Sequence, residues 1–327
     1  MDKPIIIVAG EPNSIFFEIY FKALNYKKYN SPLILIASLK LLKLQMEKMK
    51  IKKKIRSLEL SKLNKYKLNN SYINLINVNF NQSKPFDKIS KKSNDYIAKS
   101  FDVALNILKK KISNKFVNGP ISKKYFLNKN DLGITEYLAK RTKSRKYAML
   151  IYNEELSVCP LTTHLPLKQV SKKVTKKLII GKIELINNFF KRYIKRSPKI
   201  AITGLNPHCE SKHSLNEEEK IIKPTIKYLS KKYKIFGPYA ADTIFLKVNR
   251  KKYDVILGMY HDQVLTPIKT LYEYDAFNIT LGLPFIRISP DHGPNEKMVG
   301  KNLSNPKSLV KALIFLDKLK WLNQKKV

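Results

Sequence analysis

Residues 254–293 read DVILGMYHDQVLTPIKTLYEYDAFNITLGLPFIRISPDHG. An apolar run up to Met259 ends in Tyr260-His261-Asp262-Gln263. A second apolar run carries Asn278 and Thr280, and a third brings up Arg287 and then Asp291-His292-Gly293. Short apolar runs closed by turn residues suit strands buried on both faces, as in parallel sheets covered by helices. In α/β proteins, polar residues at the carboxyl ends of such strands are where ligands bind. An imidazole, carboxylates, Lys269 and an arginine share this stretch. That mixture suits a metal with an anionic substrate better than it suits a core.

The same pattern extends outward. Residues 4–9, 32–37, 72–78, 115–117, 147–152, 156–161 and 199–203 read as strands, the first a β-branched run closed by Gly10. Residues 14–24, 135–143 and 175–193 read as helices. Residues 95–111 place Ile97, Phe101, Ala104, Leu105 and Leu108 at helical spacing, a face that packs on a core. The lysine-dense residues 39–67 read as helix plus surface connection, and 79–91 as loop. Ser214 with Glu217 forms a capping box, and Pro224 should kink or split the helix that follows. Asn305 caps the last helix, with Pro306 at its first position. Alternating strand and helix predicts an α/β class with a largely parallel sheet. The two close runs in 145–165 leave room for an antiparallel pair.

Composition bounds the function. The chain has 327 residues, enough for one large or two ordinary domains, and is 43% hydrophobic, which supports a sizeable core. Its formal net charge is +39. A basic balance attracts nucleic acid and phosphorylated metabolites alike. Here the lysines are spread over every segment alongside abundant Asn and Ile, as an AT-rich coding sequence would give, and no lysine cluster interleaved with aromatics stands out. A specific nucleic-acid interface is therefore the rival reading and not the main one. Two cysteines, Cys159 and Cys209, fit a reducing compartment without a disulfide framework. The N-terminal apolar run is too short for a signal peptide, and no segment reaches the roughly 20 apolar residues of a membrane helix. A cytoplasmic protein without membrane partners is expected.

Three of the five histidines sit alike. His164, His208 and His261 each follow an apolar, strand-like run and lie in a polar or proline-containing turn. Three imidazoles at strand ends could converge on one divalent ion with open positions for substrate, or be unrelated loop histidines. Spacing alone leaves both open. Cys209 beside His208 is a weaker ligand candidate. Gly10-Glu11-Pro12-Asn13 has no repeated glycine and is not a dinucleotide fingerprint.

GEPNSIFFEI (10–19), NGPISKK (118–124), GITEYLA (133–139), TTHLPL (162–167), GLNPHCES (204–211), GPYAADTIF (237–245), MYHDQ (259–263), NITLGLPFIR (278–287) and DHG (291–293) occur in that order. Together they resemble the 4-hydroxythreonine-4-phosphate dehydrogenases of pyridoxal phosphate biosynthesis, over nearly the whole chain. The resemblance implies an isocitrate/isopropylmalate-dehydrogenase-like fold of two α/β domains with a cleft between them, in a homodimer. Residues 1–128 with 276–327 would form the domain carrying the coenzyme loop. Residues 129–275 would carry metal ligands and dimer contacts. The implied metal ligands are His164, His208 and His261, holding one zinc, magnesium or cobalt ion, with the third ligand coming from the partner subunit. Lys269, Asn278, Arg287 and Thr135 match substrate-binding positions. Asp242 and Asp262 match acidic residues lining the site, and either of these or Lys269 would take the hydroxyl proton. Asp291, His292, Gly293, Gly300 and Asn302 belong to the implied NAD loop.

The implied reaction is NAD-dependent oxidation of 4-phosphooxy-L-threonine to 2-amino-3-oxo-4-phosphooxybutanoate, which decarboxylates to 3-amino-2-oxopropyl phosphate. A sister dehydrogenase for threonate or erythronate phosphate is the alternative. Three departures bear on it. Ile134 stands where the family has a substrate-contacting histidine. Residues 10–18 carry fewer glycines than usual, and Pro294-Asn295 replace threonine and alanine in the coenzyme loop.

Overall fold

A computed structural model describes residues 2–127, 133–210, 216–290 and 292–319. It divides into two compact units, Met1–Ile134 with Pro284–Val327, and Thr135–Leu283. The first unit holds β1 (Ile5–Val8), β2 (Leu33–Ala37), β3 (Ile55–Ser57), β4 (Ile73–Asn77) and β5 (Lys115–Asn118). The second holds β6 (Ala148–Tyr152), β7 (Ser157–Pro160), β8 (Ile200–Thr203), β9 (Ile235–Tyr239), β10 (Val255–Gly258) and β11 (Phe277–Leu281). The chain then returns to the first unit for β12 (Ile286–Pro290).

In the first unit the strand order is β3-β4-β2-β1-β5-β12, every neighbouring pair parallel. Its central strands are apolar on both faces: Ile5, Ile6, Ile7 and Val8 are all fully buried. Helices sandwich them, as a parallel sheet requires. Asn94–Lys109 packs on β1 and β2, and Lys307–Lys318 on β12 and β1. Ile97, Phe101, Ala104 and Leu108 face that core, as their spacing predicted, while Leu105 is half-buried.

In the second unit the order is β11-β6-β7-β10-β8-β9. From β7 to β9 neighbours are parallel; β6 is antiparallel to both β7 and β11. The antiparallel pair foreseen for 145–165 is thus present. A core of Met149, Ile151, Val158, Ala201, Ile256, Val264 and Ile268 joins the sheet to the helix His261–Tyr272.

Two strands escaped the reading of the sequence, β3 and β9. Both lie at an end of their unit's strand order, β3 is half-exposed, and β9 contains Gly237-Pro238. Edge strands tolerate lysine-rich flanks and proline because one side needs no ladder bond, so their composition resembles a loop. Ser214 lies outside the described residues. The helix after it runs as a π turn, Glu218–Ile222, followed by Lys223–Leu229. The wider turn sits where Pro224 withholds a backbone donor. The last helix begins one residue later than expected, at Lys307, whose N–H donates to Asn305 Oδ1 (2.9 Å).

Candidate active site and metal centre

Strand order brings the segments that carry three distant histidines to one edge of the sheet. β7, β10 and β8 are adjacent and parallel, so their carboxyl ends open on one edge of the second unit. Each is followed by one of the histidines. His164 lies in the turn after β7 and His208 in the Pro207–Cys209 turn after β8. His261 is the first residue of the helix after β10, where the sequence reading had placed it in a turn.

The rings of His164 and His261 are 5.8 Å apart, centroid to centroid, at 38°. Asp262 Oδ1 lies 2.6 Å from His261 Nδ1. A carboxylate behind one ring nitrogen fixes the tautomer and turns the other nitrogen toward a cation, the usual support of a metal-bound histidine. These two residues fit a divalent ion. His208 is 77% exposed at its side chain, and its Nδ1 is 4.0 Å from Asp242 Oδ2. Among the described residues no group of three or more His, Cys, Asp or Glu side chains is arranged to hold a metal. One chain therefore gathers the His164–His261 pair and leaves His208 apart. Cys209 is buried, and burial pushes its thiol up.

The His208 turn is strained. His208 and Cys209 both have φ in the left-handed region, +56° and +59°. Such residues persist where the surroundings over-determine them. Here Glu218, fully buried, does so: its Oε1 accepts from the N–H groups of Leu205 (2.6 Å) and Asn206 (2.8 Å), and its Oε2 from Asn206 Nδ2 (2.8 Å). Burial works to raise this carboxyl, but the hydrogen bonds from Asn206 and Leu205 outweigh it and hold Glu218 below its ordinary value. Gly204 is required by close approach, because a Cβ there would lie 2.6 Å from Cys209 Sγ and 3.0 Å from Glu218 Oε1.

The substrate candidates of the second unit partly cluster. Thr135 and Thr280 share a hydrogen bond between hydroxyls (3.3 Å), and Asn278 lies two residues from Thr280 on the same face of β11. Asn278 Oδ1 is buried with no hydrogen-bond partner among the described residues. Such an atom is costly unless something binds it. Ile134 opens the helix that carries Thr135. Lys269 is half-buried on the same helix as His261. Eight residues separate them, about 12 Å along the axis. Asp262 is largely exposed, at 78% of its side chain, and Asp242 at 59%. Arg287, in the first unit, is fully buried and donates from Nε to Asn118 Oδ1 (2.7 Å).

The coenzyme-loop candidates also lie in the first unit. Asp291 falls outside the described residues. The loop from His292 to Asn302 is anchored at three points. Ile15 N–H donates to Pro294 O (3.2 Å), Gly300 (φ +76°) sits where a Cβ would come within 2.9 Å of the Phe86 ring, and Lys22 Nζ donates to Asn302 O (3.0 Å) and Ser304 O (2.9 Å). Gly293 is sterically open, and His292 Nδ1 is 3.2 Å from Gly293 O.

Several supporting residues were not assigned from sequence. Gln263 accepts from Met259 N–H (2.7 Å) and Thr203 Oγ1 (2.8 Å) and donates to Gly204 O (2.8 Å). Glu136 accepts from Thr163 Oγ1 (3.3 Å), joining the Thr135 helix to the His164 turn. Gln263 and Glu136 lie within MYHDQ and GITEYLA, so the signal was present in the motifs without a role attached. Glu218 and Lys22 carry no such signal.

A family model described as pyridoxal phosphate biosynthetic protein PdxA matches residues 28–315. The chain belongs to the PdxA family. A 4-hydroxythreonine-4-phosphate dehydrogenase from Sulfurihydrogenibium sp. (strain YO3AOP1) is 37% identical over 318 residues, 94% of this chain and 96% of that protein. A D-threonate 4-phosphate dehydrogenase from Salmonella typhimurium (strain LT2) is 32% identical over 89% of this chain and 91% of its own. The crystal structure of a 4-hydroxythreonine-4-phosphate dehydrogenase from Klebsiella pneumoniae superposes with a TM-score of 0.80 at 26% identity, covering 96% of this chain and 98% of that one. The α/β class expected from sequence, and membership among dehydrogenases of phosphorylated hydroxy acids, are thereby shown for this PdxA-family chain. Among its described residues no helix is long and apolar enough to cross a membrane.

Proposed function

We propose that this PdxA-family chain oxidises the C3 hydroxyl of 4-phosphooxy-L-threonine with NAD+, in a metal-dependent reaction on the way to pyridoxal phosphate. Hydride passes to NAD+ and the hydroxyl proton to a protein group, leaving 2-amino-3-oxo-4-phosphooxybutanoate. That β-keto acid loses CO2 to give 3-amino-2-oxopropyl phosphate. The observation that carries the reading is the apposition of His164 and His261 at 5.8 Å, with Asp262 behind His261, in a chain of this family.

A divalent zinc, magnesium or cobalt ion held there supplies Lewis-acid polarisation of the reacting hydroxyl. The chain's own residues do the rest. Neutral imidazoles from His164, His208 and His261 leave the full ionic charge in place. Because one chain gathers only two of them, the set is proposed to be completed across a homodimer. Asn278 and Thr135 offer neutral hydrogen-bonding groups to substrate, and Lys269 adds positive charge for phosphate or carboxylate. Arg287, whose Nε donates to Asn118 Oδ1, is assigned to the same anionic groups. Asp242, Asp262 and Lys269 are the proposed proton acceptors. His292, Gly293, Gly300 and Asn302, with Asp291, are assigned to NAD. The division of labour follows residues 1–128 with the C-terminal segment for coenzyme, and the second unit, β11 included, for metal and dimer contacts. Cytoplasmic location and no specific nucleic-acid partner complete the reading.

A second substrate has its own support. Ile134 replaces the family's histidine, and the relative at 32% identity is named for D-threonate 4-phosphate. The test measures NADH formation from 4-phosphooxy-L-threonine against D-threonate 4-phosphate, with and without chelator. Chelator is expected to abolish turnover and a divalent ion to restore it. Full activity of exhaustively stripped protein would sink the metal reading. Turnover of the threonate alone would make this chain the sister dehydrogenase.

A further inference from the structure

We propose that Gln263 is a positioning residue that locks the three histidine-bearing turns into one frame. The inference rests on the metal reading above. β10 is the middle strand of β7-β10-β8, so the turn after it is the one place from which both neighbouring turns can be reached. Gln263, in the first turn of the helix that His261 opens, uses that place fully. Its Oε1 takes two hydrogen bonds, one from Met259 N–H two residues before His261 and one from Thr203 Oγ1 at the end of β8. Its Nε2 donates to Gly204 O, the first residue of the His208 turn. On the other side, Met259 O accepts from Thr162 Oγ1 (2.8 Å) and Thr162 N–H (3.3 Å), two residues before His164. A continuous path of hydrogen bonds thus runs from the His164 turn through Met259 and Gln263 to the His208 turn. Glu218 closes that turn from behind through Leu205 and Asn206.

The contacts select glutamine. A glutamate could accept the same two bonds but has no hydrogen to give Gly204 O. A methionine of similar length keeps the packing and loses all three. The space is tight as well: a Cβ on Gly258 would lie 3.0 Å from Gln263 Oε1. Gln263 ligates nothing itself. Its effect is that movement of one histidine turn displaces the others. Residues that orient metal ligands in this way commonly change metal affinity by about 10- to 100-fold when removed.

The experiment uses full-length, metal-stripped wild type, Gln263→Met, Gln263→Glu and Thr203→Val, titrated with cobalt(II) and followed by its visible absorption. Hydrogen exchange is measured by mass spectrometry on peptides covering 203–210 and 258–263. Gln263→Met is expected to bind cobalt at least tenfold more weakly, with an altered absorption spectrum and faster exchange in both peptides at once. Gln263→Glu should recover part of the affinity, and Thr203→Val should lose the least. Should Gln263→Met fail to fold, the other two variants carry the test by the same ranking. Folded Gln263 variants with wild-type affinity and spectrum overturn the proposal. Wild type that takes up no cobalt overturns the metal reading itself, which is a different failure.

Discussion

On the proposed function, substrate choice turns on Ile134. It opens the helix that carries Thr135, beside the hydroxyl pair with Thr280. A histidine there would add one hydrogen bond, possible in charge-assisted form, worth about 1.5–3 kcal/mol. Ile134→His should therefore lower the Michaelis constant for 4-phosphooxy-L-threonine by roughly tenfold or more, since each 1.4 kcal/mol is about tenfold. Metal affinity measured alongside should not move; if it does, Ile134 is part of the metal frame and not of substrate recognition. Gly204 makes a second residue-scale prediction. The Cβ of Gly204→Ala would meet Cys209 Sγ at 2.6 Å, a buried group that cannot swing into solvent. Overpacking of this kind costs about 1–3 kcal/mol. Urea denaturation should show that loss, and cobalt binding should weaken with it.

At the scale of elements, two short turns carry the design. The loop 292–302 is pinned by Lys22, which also pairs with Glu18 at 2.9 Å. Ser304 N–H donates to the same Glu18 oxygen (2.6 Å), so helix Phe16–Tyr26 holds the exit of the loop by both partners. Lys22→Met should raise the Michaelis constant for NAD several-fold while turnover at saturating NAD stays near wild type. An equal fall in both would place Lys22 in the chemistry instead. The His208 turn makes a pH prediction. Glu218 is held below the ordinary carboxylate value when folded, so its contribution to stability is present above the unfolded value of about 4.3. It is lost as pH falls through the folded value. Compared by urea unfolding, wild type should exceed Glu218→Gln clearly at neutral pH, and the gap should narrow as pH drops below about 4. A gap that persists unchanged in acid would mean the glutamine variant fails for steric reasons.

At the scale of the molecule, the pair His164 and His261 in one chain with His208 apart calls for a test of shared sites. Mixing His164→Ala with His208→Ala protein, under conditions of proven subunit exchange, should restore activity if each site takes the His164–His261 pair from one chain and His208 from the other. One mixed site then lacks both substitutions. No recovery would mean each chain completes its own site. The net charge of +39 acts at the same scale. Its lysines are dispersed, so any DNA binding in a filter assay should be non-specific and fall steeply with salt. Sequence-specific retention at physiological salt would revive the nucleic-acid reading.

The apolar runs of β1, β2, β5, β7, β8 and β10 were legible in the sequence because a strand buried on both faces must be largely apolar, and that leaves a local signature. The amphipathic spacing of Asn94–Lys109 was legible for the same reason. The motifs around His164, His208 and His261 marked the candidate site, because chemistry demands particular side chains at strand ends. Only the tertiary structure decided what those side chains do to one another. The edge strands β3 and β9 depend on a neighbour for their conformation, and their composition does not announce it. That β10 lies between β7 and β8, that Gln263 therefore reaches the turn after β8 directly and the turn after β7 through Met259, and that a glutamate 14 residues beyond Gly204 holds His208 in a left-handed backbone are facts of strand order and burial. Strand order is set by which faces can be covered at once, a property of the whole sheet that no single stretch of chain carries.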